Sequence, residues 1–199
     1  MSQPVIKFAP ALAVFACAIA SPVFAAPISI VASIAWDGQA SVIGSGYTVS
    51  AFSNNTPLTA GFIGIKGIPG VGSGAGVQGQ GNDEIDVIGQ GSSEVLRFNF
   101  TDAGVISNLV LGPLFDGPEY GDWEEVAKFD VSFADEKETG TFTLRTNHLG
   151  ANSSNSTWDG SAVAWMPMPS SIVDGGAGLW SDADSFGGRL VRRIDMYAA

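Results

Sequence analysis

The sequence predicts an all-β domain, an antiparallel β-sandwich or jelly roll with one long glycine-rich loop. Three observations carry this. Apolar residues alternate with polar ones at period two through most of the chain. The alternating runs are short and are separated by Gly, Asn, Asp and Pro, the residues of tight turns. No segment sustains the 3.6-residue spacing of an amphipathic helix.

The chain opens on a segment that does not belong to that pattern. Lys7 precedes an apolar run from Phe8 to Ala20, followed by Ser21-Pro22 and the triplet Val23-Phe24-Ala25. This is the layout of a secretory signal peptide, residues 1–25, with small or aliphatic residues where a signal peptidase reads. The run is too short to span a bilayer as a helix. Val14-Phe15-Ala16-Cys17 loosely resembles a lipoprotein box, but Phe15 fits it poorly and the apolar run continues past Cys17. Cleavage near Ala25 is therefore expected, giving a secreted, extracellular or periplasmic protein with no membrane span. Residues 26–199 then form one domain, large enough to fold without staples. It has none, because the only cysteine, Cys17, leaves with the signal.

The strands follow in order. Ile28, Ile30, Ala32, Ile34 and Trp36 share a face of a first strand, and further strands are expected near 40–52 and 58–66. Residues 67–92 are so rich in glycine that a regular strand or helix is not expected there; they read as a long loop within the domain. Leu96, Phe98 and Phe100 alternate with Val95, Arg97 and Asn99. A strand near 105–111 comes next. Trp123, Ala127, Phe129, Val131 and Phe133 then alternate with Glu124, Lys128, Asp130 and Ser132. Phe142 and Leu144 alternate with Thr141, Thr143 and Arg145; a strand near 158–165 follows, and Leu190, Ile194 and Met196 close the chain.

Charge narrows the partners. Lys7 lies in the signal, so eight of the nine basic side chains and all twenty acidic ones remain, a net charge of −12. Nucleic acid and anionic membrane surfaces are disfavoured. Divalent cations or cationic partners are favoured, beside the plainer reading of a solvated acidic surface.

Few motifs carry chemistry. Gly74-Ala75-Gly76-Val77-Gln78-Gly79 has the spacing of a dinucleotide fingerprint, but no helix pattern follows to hold a pyrophosphate. Gln78 to Asp86 resembles one copy of the calcium-binding nonapeptide of β-roll toxins. Its sequel at Gly89 to Val95 is out of step and lacks the ligand Asp, and a solenoid needs several copies. The local carboxylates survive that rejection: Asp83, Glu84 and Asp86 are hard oxygen ligands suited to calcium. Two other acidic groups, Asp116 with Glu119 and Asp122, and Asp182 with Asp184, can join them only if the fold brings them together. The single histidine, His148, has no nucleophile elbow to serve. With one histidine and no cysteine left, there is no zinc set. Trp36 and Trp123 lie in phase with core residues, whereas Trp158 and Trp180 stand beside turn residues and are the candidates for a sugar-stacking platform.

Gly81-Asn82-Asp83-Glu84-Ile85-Asp86, followed by Glu94-Val95-Leu96-Arg97-Phe98-Asn99-Phe100, resembles the β-sandwich ectodomains of secreted bacterial surface proteins of the PEP-CTERM type. The closing run Phe186 to Asp195 resembles their last strand. The sorting tail is missing, so the resemblance implies a surface or matrix protein that is released rather than anchored. It implies no catalytic residues. The expected function is a non-catalytic binding or matrix-associated module, stabilised by calcium, whose partner is an extracellular polysaccharide or matrix component. A polysaccharide-active enzyme on a jelly roll and a self-assembling structural surface protein are the alternatives, and the oligomeric state stays open.

Calcium at Asp83, Glu84 and Asp86 has a direct test. Saturation about a hundredfold above Kd adds roughly 2.7 kcal/mol of stability. Thermal melts should then rise by several degrees in calcium relative to chelator. Asp83→Asn with Asp86→Asn should abolish the difference; equal melts of the wild type in both conditions would refute the site.

Overall fold

The alternation of the sequence builds one wide antiparallel sheet. The computed structural model describes residues 17–18, 30–68, 72–79, 85, 87–89, 92–106, 109–115, 126–134, 139–146, 155–158, 161–167 and 177–199. In chain order the strands are β1 (Cys17–Ala18), β2 (Ser41–Gly44), β3 (Tyr47–Asn55), β4 (Leu58–Ala60), β5 (Phe62–Ile68), β6 (Gly72–Gln78), β7 (Val87–Gly89) and β8 (Ser92–Ser93). Then come β9 (Val95–Ile106), β10 (Leu109–Phe115), β11 (Val126–Phe133), β12 (Thr139–Thr146), β13 (Asn155–Trp158), β14 (Ser161–Pro167), β15 (Ala177–Asp182) and β16 (Leu190–Ala198).

Twelve of them form one sheet, ordered β10-β15-β14-β13-β12-β11-β16-β9-β3-β2, with β1 beside β9 and β4 beside β3. β5 pairs with β6, and β7 with β8, as separate two-stranded ribbons. Every pairing is antiparallel.

The register puts like with like across strands. Ala51, Leu96, Met196, Phe129 and Phe142 are successive cross-strand partners on β3, β9, β16, β11 and β12. Val49, Phe98, Ile194, Val131 and Gly140 make the next row. These rows share one face, and their apolar side chains on β3, β9, β16 and β11 are buried. β11 alternates without a fault: Ala127, Phe129, Val131 and Phe133 are buried and the residues between them partly exposed. A bulge in β16 keeps the phase, since Ser132 pairs with Arg193 but Phe133 with Val191, leaving Arg192 over. Val191, rather than Leu190, is thus the fully buried residue at that end.

The β5–β6 hairpin buries Ile63 and Val77 in the same core as Val49, Ala51, Leu96 and Phe98. The sequence reading expects a loop from 67 to 92, but β5 reaches Ile68 and β6 is a regular strand through Gly72-Ser73-Gly74-Ala75-Gly76-Val77-Gln78. The ladder with β5 runs unbroken from Phe62↔Gln78 to Ile68↔Gly72. The entropy lost by its glycines is offset by that ladder and by the burial of Val77 and the packing of Ala75.

The first strand also differs from expectation. Ile34–Trp36 is a 3-10 turn, with the Ser33 side chain accepting from the Ala35 N–H as its N-cap. Trp36 packs into the core at 8% exposure while Ile34 is 73% exposed, so the two do not share a face. This turn docks on β5: Gly38 N–H donates to Ile63 O at 2.9 Å, and Ile63 N–H to Gln39 O at 2.7 Å. Asp37 Oδ1 accepts from Ile65 N–H and Gln78 Nε2. The strand expected near 158–165 is two strands, β13 and β14, with Trp158 paired to Ser161. Between them the sequence reads Asp159-Gly160, a dipeptide favoured in two-residue hairpins.

At the far end of β16 the buried ring of Phe186 meets Phe133 and Phe142 edge-on, with centroids 6.3 and 5.1 Å away. The Arg189 guanidinium lies 3.3 Å over the Phe133 ring. Phe129 is wholly buried at the centre of the sheet, so Phe129→Ala should cost about 3–5 kcal/mol in urea denaturation. Ile43 on the edge strand β2 is 82% exposed, and Ile43→Ala should change stability by less than about 0.5 kcal/mol.

Candidate functional site: a polar sheet face

The same register that gathers the core gathers a polar surface on the opposite side of the sheet. Three rows cross β3, β9, β16, β11 and β12. They are Thr48, Asn99, Arg193, Ser132 and Thr139; Ser50, Arg97, Asp195, Asp130 and Thr141; and Phe52, Val95, Tyr197, Lys128 and Thr143. Thr139, Thr141 and Arg145 are exposed, and Arg97, Asn99, Lys128, Asp130, Ser132, Thr143, Arg193, Asp195 and Tyr197 are partly so.

Asp195 and Asp130 are direct cross-strand partners, a like-charged pair that destabilises a sheet unless compensated. Arg97 grips Asp195 with two hydrogen bonds, Nε to Oδ1 at 2.6 Å and a terminal nitrogen to Oδ2 at 2.8 Å. Arg193 Nε lies 3.6 Å from the same carboxylate. Arg97 also stacks over the Phe52 ring, 5.0 Å from its centroid. Hydrogen bonding to Asp195 raises the Arg97 pKa further, against the opposing effect of burial.

Asp130 is held differently. Thr141 Oγ1 donates to its Oδ1 at 2.7 Å and the Tyr197 hydroxyl to its Oδ2 at 3.3 Å. Burial first, then the charge of Asp130 and the hydrogen bond to it, push the Tyr197 pKa up to about 12. Ser132 and Thr139 hydroxyls lie 3.4 Å apart in the next row. The result is a field of hydroxyls, an amide, three cations and two carboxylates, with a fourth cation, Arg145, opposite Val126 just beyond the rows, suited to hydrogen-bonding a polar ligand laid across it.

The residues singled out by sequence fall elsewhere. Asp83, Glu84 and Asp86 lie outside the described residues, as do Asp116, Glu119, Asp122, Trp123 and His148. Among the described residues no group of three or more His, Cys, Asp and Glu is placed to hold a metal ion. Asp182 and Asp184 serve their own turn: Asp182 Oδ1 accepts from Asp184 N–H, and Asp184 Oδ1 from Gly188 N–H at 2.6 Å. In the ladder Trp158 stands opposite Leu144, and Trp180 opposite both Leu111 and Trp165. Gly74 to Gln78 of the fingerprint-like run lie in β6, with no helix after them among the described residues.

One carboxylate is buried that the sequence does not single out. Glu94 is 1% exposed, and a side chain on Gly79 would overlap its carboxylate and have to displace it. The signal was present: Glu94 is in phase with Leu96, Phe98 and Phe100. The Arg97–Asp195 pair had no such signal, because its partners are 98 residues apart.

No family model, no curated protein and no solved structure matches this chain. Among the described residues no helix is long and apolar enough to cross a membrane.

The Tyr197 shift fixes a pH dependence. The fold favours the neutral phenol, so unfolding releases its proton between the ordinary value of 10.0 and about 12. The contribution is complete below pH 10 and is lost as the pH rises through that window. Stability should fall there in urea titrations, and Tyr197→Phe should flatten that part of the slope.

Proposed function

We propose that the protein is a secreted, non-catalytic binding module that holds an extracellular polysaccharide or matrix polymer on the polar face of β3, β9, β16, β11 and β12. The observation that carries this reading is a pair of aligned polar rows and a third that is polar from Tyr197 to Thr143, with Thr139 and Thr141 in these rows, and Arg145 just beyond them, open to solvent. A hydroxyl-rich polymer needs many hydrogen-bonding groups at regular spacing, and a sheet supplies them about 4.8 Å apart between strands. The finer fold assignment, a sandwich or jelly roll, is supported by the β5–β6 hairpin, which covers the apolar side of β3 and β9. A surface protein of the PEP-CTERM type fits this reading. Calcium at Asp83, Glu84 and Asp86 remains part of the proposal as a stabilising ion.

Two observations weigh against the alternatives. For a glycoside hydrolase the facing carboxylates would be Asp130 and Asp195, but their oxygens are taken up by Arg97, Thr141 and Tyr197 on an open face. For edge-to-edge self-assembly the outer strands are poor: β2 has four residues, and β10 carries Pro113, which lacks an N–H to donate. Trp158 and Trp180 are the other candidates for contact with a sugar. Their register positions continue the Leu144 face, which is apolar where it is described, so the polar face is the stronger candidate.

Co-sedimentation with a panel of insoluble polysaccharides tests the reading. Wild type should sediment with at least one polymer without releasing reducing ends. Thr141→Ala with Thr143→Ala should weaken that binding roughly tenfold, the effect of one or two neutral hydrogen bonds. Ser73→Ala on β6 should not. Binding indifferent to the face, or steady release of reducing ends, would overturn it.

A further inference from the structure

The polar face is also where this acidic protein keeps its positive charge. Eight basic side chains follow residue 25 against twenty acidic ones. Four of the eight, Arg97, Lys128, Arg145 and Arg193, project from adjacent strands on this one face. The described acidic residues among them are Asp130 and Asp195, so the patch carries a net charge of +2 in a mature chain of −12.

The placement has a direction. In the ladder Arg193 on β16, Lys128 on β11 and Arg145 on β12 step along a diagonal, with Arg97 beside the first of them. Strand spacing and rise give that diagonal a length of roughly 20 Å. Lys128 makes no ion pair among the described residues, and Arg193 reaches Asp195 only at 3.6 Å while Arg97 already engages both of its oxygens. Thr139, Thr141, Thr143 and Ser132 flank the line with hydroxyls. Cations set at intervals among hydroxyls complement a chain that alternates carboxylates with hydroxyls.

We infer that the occupant of this face is an anionic, carboxylate-bearing polysaccharide, a polyuronate, lying along the Arg193–Lys128–Arg145 diagonal. The inference rests on the binding-module reading and specifies its ligand. The cations would pair with the uronate carboxylates, and the threonine and serine hydroxyls with the ring hydroxyls. Bulk charge argues the other way, since a protein of −12 repels polyanions at long range. Within a Debye length, about 8 Å at physiological salt, the patch decides instead.

Affinity electrophoresis through gels containing alginate, neutral dextran or poly-glutamate tests this, with the full mature chain at pH 7. Alginate should retard the wild type most. Lys128→Gln and Arg145→Gln should each weaken alginate binding about two- to fivefold, the range of a partly exposed ion contact. Lys66→Gln on β5, outside the face, should not. Raising salt from about 0.15 M to 0.5 M should weaken alginate binding of the unmodified protein, a readout that needs no variant. Dextran bound as tightly as alginate, or alginate binding insensitive to salt, would overturn the polyuronate while leaving a binding module. Poly-glutamate bound as tightly as alginate would also overturn it, because the face would then read charge alone. No retardation by any polymer would remove both readings.

Discussion

The register of β9, β16 and β11 is the constraint on which the rest of this molecule depends. Side chains in a sheet alternate with period two, so a slip of one residue exchanges the faces of an entire strand. On β16 such a slip would drive Arg193 and Asp195 into the space now filled by Ile194 and Met196. Burying unpaired charges costs far more than burial of the aliphatic groups returns. The Arg97–Asp195 pair also acts on register, because its two short hydrogen bonds exist at one alignment of β9 and β16 only. The bulge at Arg192 absorbs the one residue that does not fit, and so returns Val191 to the core side.

A sheet this wide still needs its apolar side covered. Over β3 and β9 the cover is the β5–β6 hairpin, reinforced by Trp36 and Ile30. Where β5 begins, Gly61 lies so close to β3 that a Cβ there would come within 2.6 Å of the Ser53 backbone nitrogen. Gly79 shows the same just after β6, where Glu94 occupies the volume any side chain would take. Gly44 shows it again on β2, where a side chain would overlap the Tyr47 ring. Glycine content that looks like disorder in the sequence is, at these points, room made for a neighbour.

That distinction explains what could be read in advance. β11, β12 and the first half of β9 were legible because each has a strict apolar–polar alternation that only a half-buried strand satisfies. β6 was not, because glycine signals a loop unless the partner strand and the buried Val77 are known. The 3-10 turn at Ile34–Trp36 was hidden for a related reason: its apolar residues fall at even spacing by chance, and the Ser33 cap decides the backbone. The candidate site was legible only in halves. Arg97, Lys128 and Asp130 fall on the wet sides of their strands by alternation, but their convergence with Asp195 and Tyr197 is a property of strand order. Here β16, last in sequence, inserts between β9 and β11.

This insertion has a consequence for function. β16 contributes Arg193, Asp195 and Tyr197 to the centre of the polar face and Val191, Ile194 and Met196 to the centre of the core. The two faces are therefore not independent: the strand that completes the charged patch also closes the hydrophobic layer. Apolar burial supplies most of the stability and selects the face of each strand, but it is not directional. The polar network is directional and fixes where each cation stands. Arg97 is the clearest instance, since its guanidinium is tied to Asp195 and packed on Phe52. It is a positive charge whose side-chain entropy is already lost before any ligand arrives. A binding face proposed for this sheet would benefit from that, because immobilising long basic side chains is a main cost of surface recognition.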